Sequence, residues 1–163
     1  MNVEEAIRSR RTHKVYGADP VDDDTLRELF ELARWAPNHH LTNPWRFRVL
    51  GPQSLERLKA ADTPESAKKL DRAPTLVVVS SLGDGEDRDA TAAAAYIVLL
   101  AAHARGLATY WRTPAVLTTP EGRAAVGIEQ GEQVLGLLHL GSPRQEQRIP
   151  DRAPVEDVAT FLP

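Results

Sequence analysis

The sequence predicts an α+β fold: a layered sheet flanked by helices, with one further helix buried at its centre. Three observations carry this expectation. TLVVVSS (75–81) and VLGLLHL (134–140) are short, nearly continuous apolar runs, as buried strands are. Leu26, Leu29, Phe30 and Ala33 recur at helical spacing, so one face of that segment lies on a core. The stretch from about Asp89 to Arg105 is apolar nearly all round, which suits a helix enclosed on every side.

In chain order, Val3, Ala6 and Ile7 fall on one face of an opening helix that ends near Arg10-Arg11. Asp22 to Asp24 supply an N-cap and carboxylates at the positive end of the second helix, which Pro37 ends. Trp45, Phe47 and Val49 alternate with Arg46 and Arg48, the period of a strand. Ser54 is expected to cap a short helix carrying Leu55 and Leu58, whereas Ala60 to Arg72 is polar and signals no element. GDGEDRD (83–89) reads as a turn leading into the central helix, which Gly106 closes. Leu107 to Trp111 forms the next strand, and Thr119-Pro120-Glu121 opens a helix that Gly127 stops. The tail from Ser142 to Pro163 is rich in Pro, Gln and Arg, buries little by itself, and is expected to lie across something else.

Length and composition narrow the function. With 163 residues and 42% hydrophobic content the chain suffices for one domain with a real core. A net charge of -3 argues against a nucleic-acid binder driven by bulk charge. The count of 0 cysteines excludes disulfides, thiolate metal sites and a cysteine nucleophile together. The N-terminus lacks the apolar core of a secretory signal, and the run from Ala90 to Ala104 is too short to span a bilayer, so a cytoplasmic protein is expected. GxSxG, Walker and GxGxxG signatures are all missing.

Three constellations could carry chemistry. Arg8, Arg10, Arg11 and Lys14, with Ser9 and Thr12 between them, suit a phosphate monoester, although by themselves they read first as a solvated helix end. His39-His40 is a poor metal clamp, because neighbours on an extended segment point apart and no third ligand is spaced for it; a ligand contact and a surface histidine both stay open. Tyr110-Trp111-Arg112-Thr113 at a strand end could line a ligand site, or pack as a core tryptophan beside an exposed arginine.

Together these segments resemble the nitroreductase family of FMN-dependent oxidoreductases. Arg10-Arg11-Thr12 is similar to the family's Arg-Arg-Ser after its first helix. LRELFELARWAPNHHLTNPWRFRVL resembles its helix, Ala-Pro, polar loop and Gln-Pro-Trp before a strand. AAAAYIVLLAAHARGLATYWRT matches the central helix, Gly-Leu and aromatic strand, and VLGLLHLGSPRQE the late strand with Gly-x-Pro.

The resemblance implies a nitroreductase-like layered fold with a central mixed or antiparallel sheet, residues 1–163 forming one FMN-binding domain. It implies a homodimer with FMN at the subunit interface, and a tail from 142 to 163 packed on the partner. Arg10 and Thr12 would bind the FMN phosphate or ribityl chain, joined by Arg112 beside Trp111. Arg11 would point toward the flavin's polar edge or the ribityl chain. His39 would approach from the partner subunit, with Asn38 and Asn43 as further candidates, and Trp45 would anchor the loop. NADH or NADPH would reduce the flavin, and a nitroaromatic, quinone or similar small acceptor would reoxidise it in a ping-pong cycle. No side chain is needed as a catalytic group, no metal, no nucleic acid and no membrane. Two departures stand out: Asn43 replaces the family's glutamine, and Gly51 to Arg72 is brief where relatives help to cover the site. That brevity motivates the rival reading, a non-catalytic or degenerate flavin-binding or ligand-binding module on the same scaffold.

Overall fold

The apolar strands build the centre. In the computed structural model, which describes residues 1–163, β1 (Trp45–Val49), β2 (Thr75–Ser81), β3 (Ala108–Arg112) and β4 (Gln133–Gly141) form one sheet. The order is β1-β2-β4-β3 and every pairing is antiparallel. All of β2 is buried, and its alternation divides the core: Val77 and Val79 join one apolar cluster, Leu76 and Val78 the other.

On the first face lies α5 (Glu86–Ala104), with Ala94, Ala95 and Val98 fully buried, covered in turn by α2 (Asp23–Ala33). On the second face lie α3 (Pro52–Ala60) and α6 (Pro120–Ala125), packed through Leu58, Ala125 and Leu137. The opening helix α1 (Val3–Ser9) rests near the C-terminal end of α5. A short helix α4 (Pro64–Ala67) occupies the polar stretch that signalled nothing, and nearby Leu70 is fully buried. No helix is long and apolar enough to cross a membrane.

Several expectations shift. The central helix begins at Glu86, earlier than the sequence suggested, because Glu86, Asp87 and Asp89 stand in its first turn where the helix dipole favours acids. Helix α2 ends at Ala33, and a turn carries the chain to Pro37. Pro52 starts α3 after Gly51, so Ser54 is inside the helix and its hydroxyl donates back to the Gly51 carbonyl at 2.9 Å. Val49 is exposed because β1 is an edge strand. Val3 and Ile7 are exposed too; of the opening helix's apolar face only Ala6 is buried.

Gly106 closes α5 at φ 78°, as its position predicts. Gly136, at φ 145°, has a different reason. A Cβ there would lie 2.5 Å from the Arg112 carbonyl and 2.6 Å from the Trp111 indole nitrogen. The glycine lets that indole cross the strand and donate to the Leu135 carbonyl at 3.0 Å.

Candidate functional site

The basic cluster is positioned by the exit from α1. Asn2 and Glu5 cap that helix reciprocally, at 2.9 Å each way, and it stops at Ser9. The chain then runs beside the start of β3: Thr12 bridges to Thr109, and the His13 amide donates to the Thr109 carbonyl at 3.0 Å. Arg11 is held by its own backbone, Nη1 donating to the carbonyls of Arg8 and Arg10 at 2.7 and 2.9 Å. Arg10, Arg11 and Thr12 line a cavity of about 260 Å³ whose other wall is tail residues Gln147, Arg148, Pro150 and Arg152. No carboxylate lines it, and its one apolar side chain is that of Pro150. The Nε of Arg10 is buried without a hydrogen-bond partner.

Two imidazoles stand behind these arginines. The Ser9 hydroxyl donates to the Glu5 carbonyl and therefore accepts from His103 Nε2, 2.7 Å away. Burial, then the charges of Arg10 and Arg11, hold His103 below the usual histidine range. His13 is lowered likewise by burial, His103 and Arg10.

The loop between α2 and β1 is braced by its own polar groups. His40, Leu41 and Asn43 all take left-handed backbone, at φ 54°, 52° and 47°. Such conformations cost non-glycine residues energy and persist only where the surroundings hold them. Here the Asn38 side-chain oxygen accepts from the Asn43 amide at 3.0 Å, and Asn43 Nδ2 donates to the Leu41 carbonyl at 2.9 Å. Asn38 Nδ2 donates to the Ala36 carbonyl at 3.2 Å. The start of α5 grips the loop from outside, Asp87 accepting from the Thr42 hydroxyl at 2.6 Å and Glu86 from His39 Nδ1 at 2.8 Å. Because a carboxylate can only accept, Nδ1 carries the proton and Nε2 is the nitrogen left to face outward. The ring also stacks on His40 at 3.9 Å.

Two cavities flank this loop. Asn38 and Asn43 line one of about 760 Å³ with Trp35, Leu41 and Trp45. Asn38 and His39 line another of about 470 Å³ with Glu86 and Asp89.

Trp111 and Arg112 stand in a third place and on opposite faces of the sheet. Trp111 packs against the α5 side of the core, its N–H spent on Leu135. Arg112 donates through Nη2 to the Ser66 hydroxyl at 3.2 Å, while its Nη1 is buried without a partner. Near it His139 is fully buried with both ring nitrogens unpartnered, 5.6 Å from the Tyr110 ring. Burial, and then Arg112 and Arg72, push His139 down to about 4. Burial raises the Tyr16 hydroxyl, which donates to the His13 carbonyl at 2.6 Å.

The structure thus brings Arg10, Arg11 and Thr12 together, and separately Asn38, His39 and Asn43. Helix α5 measures the gap between them. His103, near its C-terminal end, touches Ser9, and Glu86, at its first turn, holds His39. At the α-helical rise those two positions lie about 26 Å apart. Sequence reasoning missed Arg148 and Arg152, whose only signal was an arginine-rich tail, and missed Glu86 and Asp87, which read as part of a turn.

Comparison with known proteins supplies a context for this geometry. The model described as "Nitroreductase family" matches residues 7–142. A relative from Bacillus subtilis strain 168 that carries the name of an NAD(P)H nitroreductase, YfhC, is 26% identical, covering 96% of this chain and 92% of its own. Among solved structures, a nitroreductase-like family protein from Bacillus cereus superposes with a TM-score of 0.89 at 24% identity, covering 99% and 96%. One from Desulfovibrio desulfuricans, titled a nitroreductase in complex with FMN, gives 0.82 at 25% identity, covering 99% and 96%.

Proposed function

This chain belongs to the nitroreductase family, and on that footing we propose that it is an FMN-dependent oxidoreductase drawing on NADH or NADPH. The observation that carries the reading is the cavity lined by guanidiniums and free of carboxylates beside Arg10, Arg11 and Thr12. Its chemistry fits a phosphate monoester: Arg10 holds a buried N–H with nothing to bond, Arg11 is braced in place, and the exposed Thr12 offers a hydroxyl. Arg112, with one buried N–H also unmatched, would join them on the phosphate or the ribityl chain, and Trp111 would fix the strand that presents it. When bound, FMN would supply the redox chemistry, taking hydride from the nicotinamide and passing electrons to an electron-poor acceptor such as a nitroaromatic or quinone. The protein's part is to hold, orient and enclose.

We further propose that each site is shared by two copies. The length of α5 between the residues that contact Ser9 and His39 supports Arg10 and His39 of one chain serving different flavins. His39 Nε2, with Asn38 and Asn43 shaping the loop around it, would meet the partner's flavin. Exposed apolar side chains support a covering copy: Leu32 and Trp35 on one side, and Val158, Phe161 and Leu162 along the tail. Residues 142–163 would lie on the partner, and residues 1–163 would act as one FMN-binding domain.

The visible absorption spectrum tests the flavin reading directly. Purified protein is expected to be yellow, to release FMN on denaturation, and to bleach with NADH or NADPH without oxygen. Protein that stays colourless after soaking in FMN would refute it.

A further inference from the structure

Holding and orienting a flavin leaves two groups behind the arginine-lined cavity without a task, the imidazoles of His103 and His13. His103 stands in the last turn of α5 and is half-buried. Its Nε2–H donates to the Ser9 hydroxyl at 2.7 Å, and that hydroxyl is committed in turn to the Glu5 carbonyl. This bond fixes the neutral tautomer, so Nδ1 is the nitrogen open to a second proton. Ser9 directly precedes Arg10, whose Nε is buried without a partner, and His13 Nδ1 is buried without one as well. The charged groups around the pair are mostly cationic. Arg10 and Arg11 stand on the segment after α1, and Lys14 follows His13. Arg105 follows α5 and is held at 3.1 Å by Glu28 of α2, while the Glu5 carboxylate of α1 is taken by the Asn2 amide at 2.9 Å. Tyr16, bonded to the His13 carbonyl, stays neutral because burial raises its hydroxyl. Neither ring has a carboxylate partner; among the histidines only His39 does.

Burial first, and then the neighbouring positive charge, hold both imidazoles below the usual histidine range. A phosphate dianion set on Arg10 and Arg11 would cancel the second of these causes and leave the first. Protonation of His103 then becomes easier, and a protonated ring bonds Ser9 more strongly and adds a positive charge behind Arg10. Resting on the flavin reading above, we propose that His103, with His13, is a positioning residue of the phosphate cavity and takes up a proton as the phosphate enters. The sign follows from linkage, since loaded protein binds more protons than free protein. The histidine contribution to affinity is full below the free-state midpoint and is lost as the pH rises through the loaded-state midpoint.

Nuclear magnetic resonance of the wild-type protein tests this by following the ring C–H signals of His103 and His13, each assigned through its backbone. The titration runs from pH 8 to pH 5, with and without saturating FMN. The His103 midpoint is expected to move upward on loading; a midpoint that stays or falls overturns the proposal. FMN affinity, read by quenching of flavin fluorescence, gives a second measure with His103→Gln, whose amide can donate to Ser9 but takes no proton. The phosphate's own ionisation at about pH 6 weakens binding equally in both proteins. The ratio of wild-type to variant affinity is expected to rise by roughly threefold to tenfold from pH 8 to pH 6. A constant ratio would leave the histidine merely structural and overturn the proposal as well. The resonance titration needs no variant, so it decides even where His103→Gln fails to fold. Wild-type protein that takes up no FMN would instead refute the flavin reading. The same titration with saturating inorganic sulfate, an anion throughout the range, would then decide the histidines alone, an unmoved midpoint overturning their role.

Discussion

His139→Leu is expected to lessen this protein's sensitivity to mild acid. His139 is fully buried on β4, and neither ring nitrogen has a partner. Burial first, and then Arg112 and Arg72, hold its imidazole down to about 4, against 6.5 for an unperturbed histidine. Between those two values only the unfolded chain binds the proton. Stability is therefore full above pH 6.5 and falls as the pH drops toward 4. Integrated from pH 8 to pH 5, that difference amounts to about 2 kcal/mol in favour of unfolding. With a urea slope of about 2 kcal/mol per molar, the wild-type midpoint should move by roughly 1 M. Leucine has no proton to take, so its midpoint should move less by that amount. At pH 8 the variant should match the wild type or exceed it by about 1 kcal/mol, because two unsatisfied buried nitrogens are gone. The lowered His13 and His103 contribute acid sensitivity of the same sign to both proteins, so the difference between the two urea series isolates His139. Equal midpoint shifts in wild type and variant between pH 8 and pH 5 would refute the reasoning.

Arg48→Ala should destabilise the fold by about 3 kcal/mol in chemical denaturation, because it leaves the Glu132 carboxylate, 3% exposed, without the guanidinium that bonds it at 2.5 and 3.0 Å. Burial alone would raise that carboxyl, but hydrogen bonds from Arg48, Ser80 and the Glu129 amide outweigh it and hold it low, so its contribution is full above pH 4.5 and fades as the pH falls below. Arg112→Ala should lower the flavin content of purified protein more than Arg48→Ala does; equal content in both would count against Arg112. Mixing Arg10→Ala with His39→Ala protein through unfolding and refolding should restore one intact site per mixed dimer, measured as flavin reduction, whereas a site built within one chain would recover nothing. A chain shortened before Arg148 should sediment as a monomer, and a stable dimer would contradict the tail's assignment.

The sheet and the core face of the central helix were legible because periodicity reports burial directly: TLVVVSS is buried throughout, and so are Ala94, Ala95 and Val98. The helix is not enclosed on every side as its composition suggested, since Tyr96 and Ala104 are exposed. Boundaries were less legible where two signals compete. Glu86 to Asp89 look like a polar turn and also like the acidic first turn of a helix, and the helix dipole decides in favour of the second. Val49 follows the alternation of β1 yet is exposed, since alternation names a face and not what covers it. At the candidate site, Arg10, Arg11 and Thr12 were legible because they are contiguous. Arg148 and Arg152 reach the same cavity only through the path of an irregular tail, and Glu86 meets His39 across 47 positions of sequence. Spacing rules of helices and strands carry no information over such separations.

The economy of the polar loop explains how two distant half-sites could form one. In the Asn38–Asn43 segment one side-chain N–H of each asparagine, the Asn43 backbone amide and the Thr42 hydroxyl are already bonded within the fold. Three left-handed residues are held in place by those bonds, so the loop is cast without help from a ligand. What it still offers outward is a shape, His39 Nε2, and the second side-chain N–H of each asparagine with the Asn43 Oδ1. At the other end of α5 the arginines show the opposite state: backbone fixed, but their charge and the buried Arg10 Nε–H unmatched. A finished scaffold at one end and unsatisfied donors at the other suit a site that assembly completes without refolding. Dimerisation would then set where the flavin ring lies, while the guanidinium cavity sets whether it is retained. On this account His39→Ala should disturb flavin reduction more than flavin content, and Arg10→Ala the reverse.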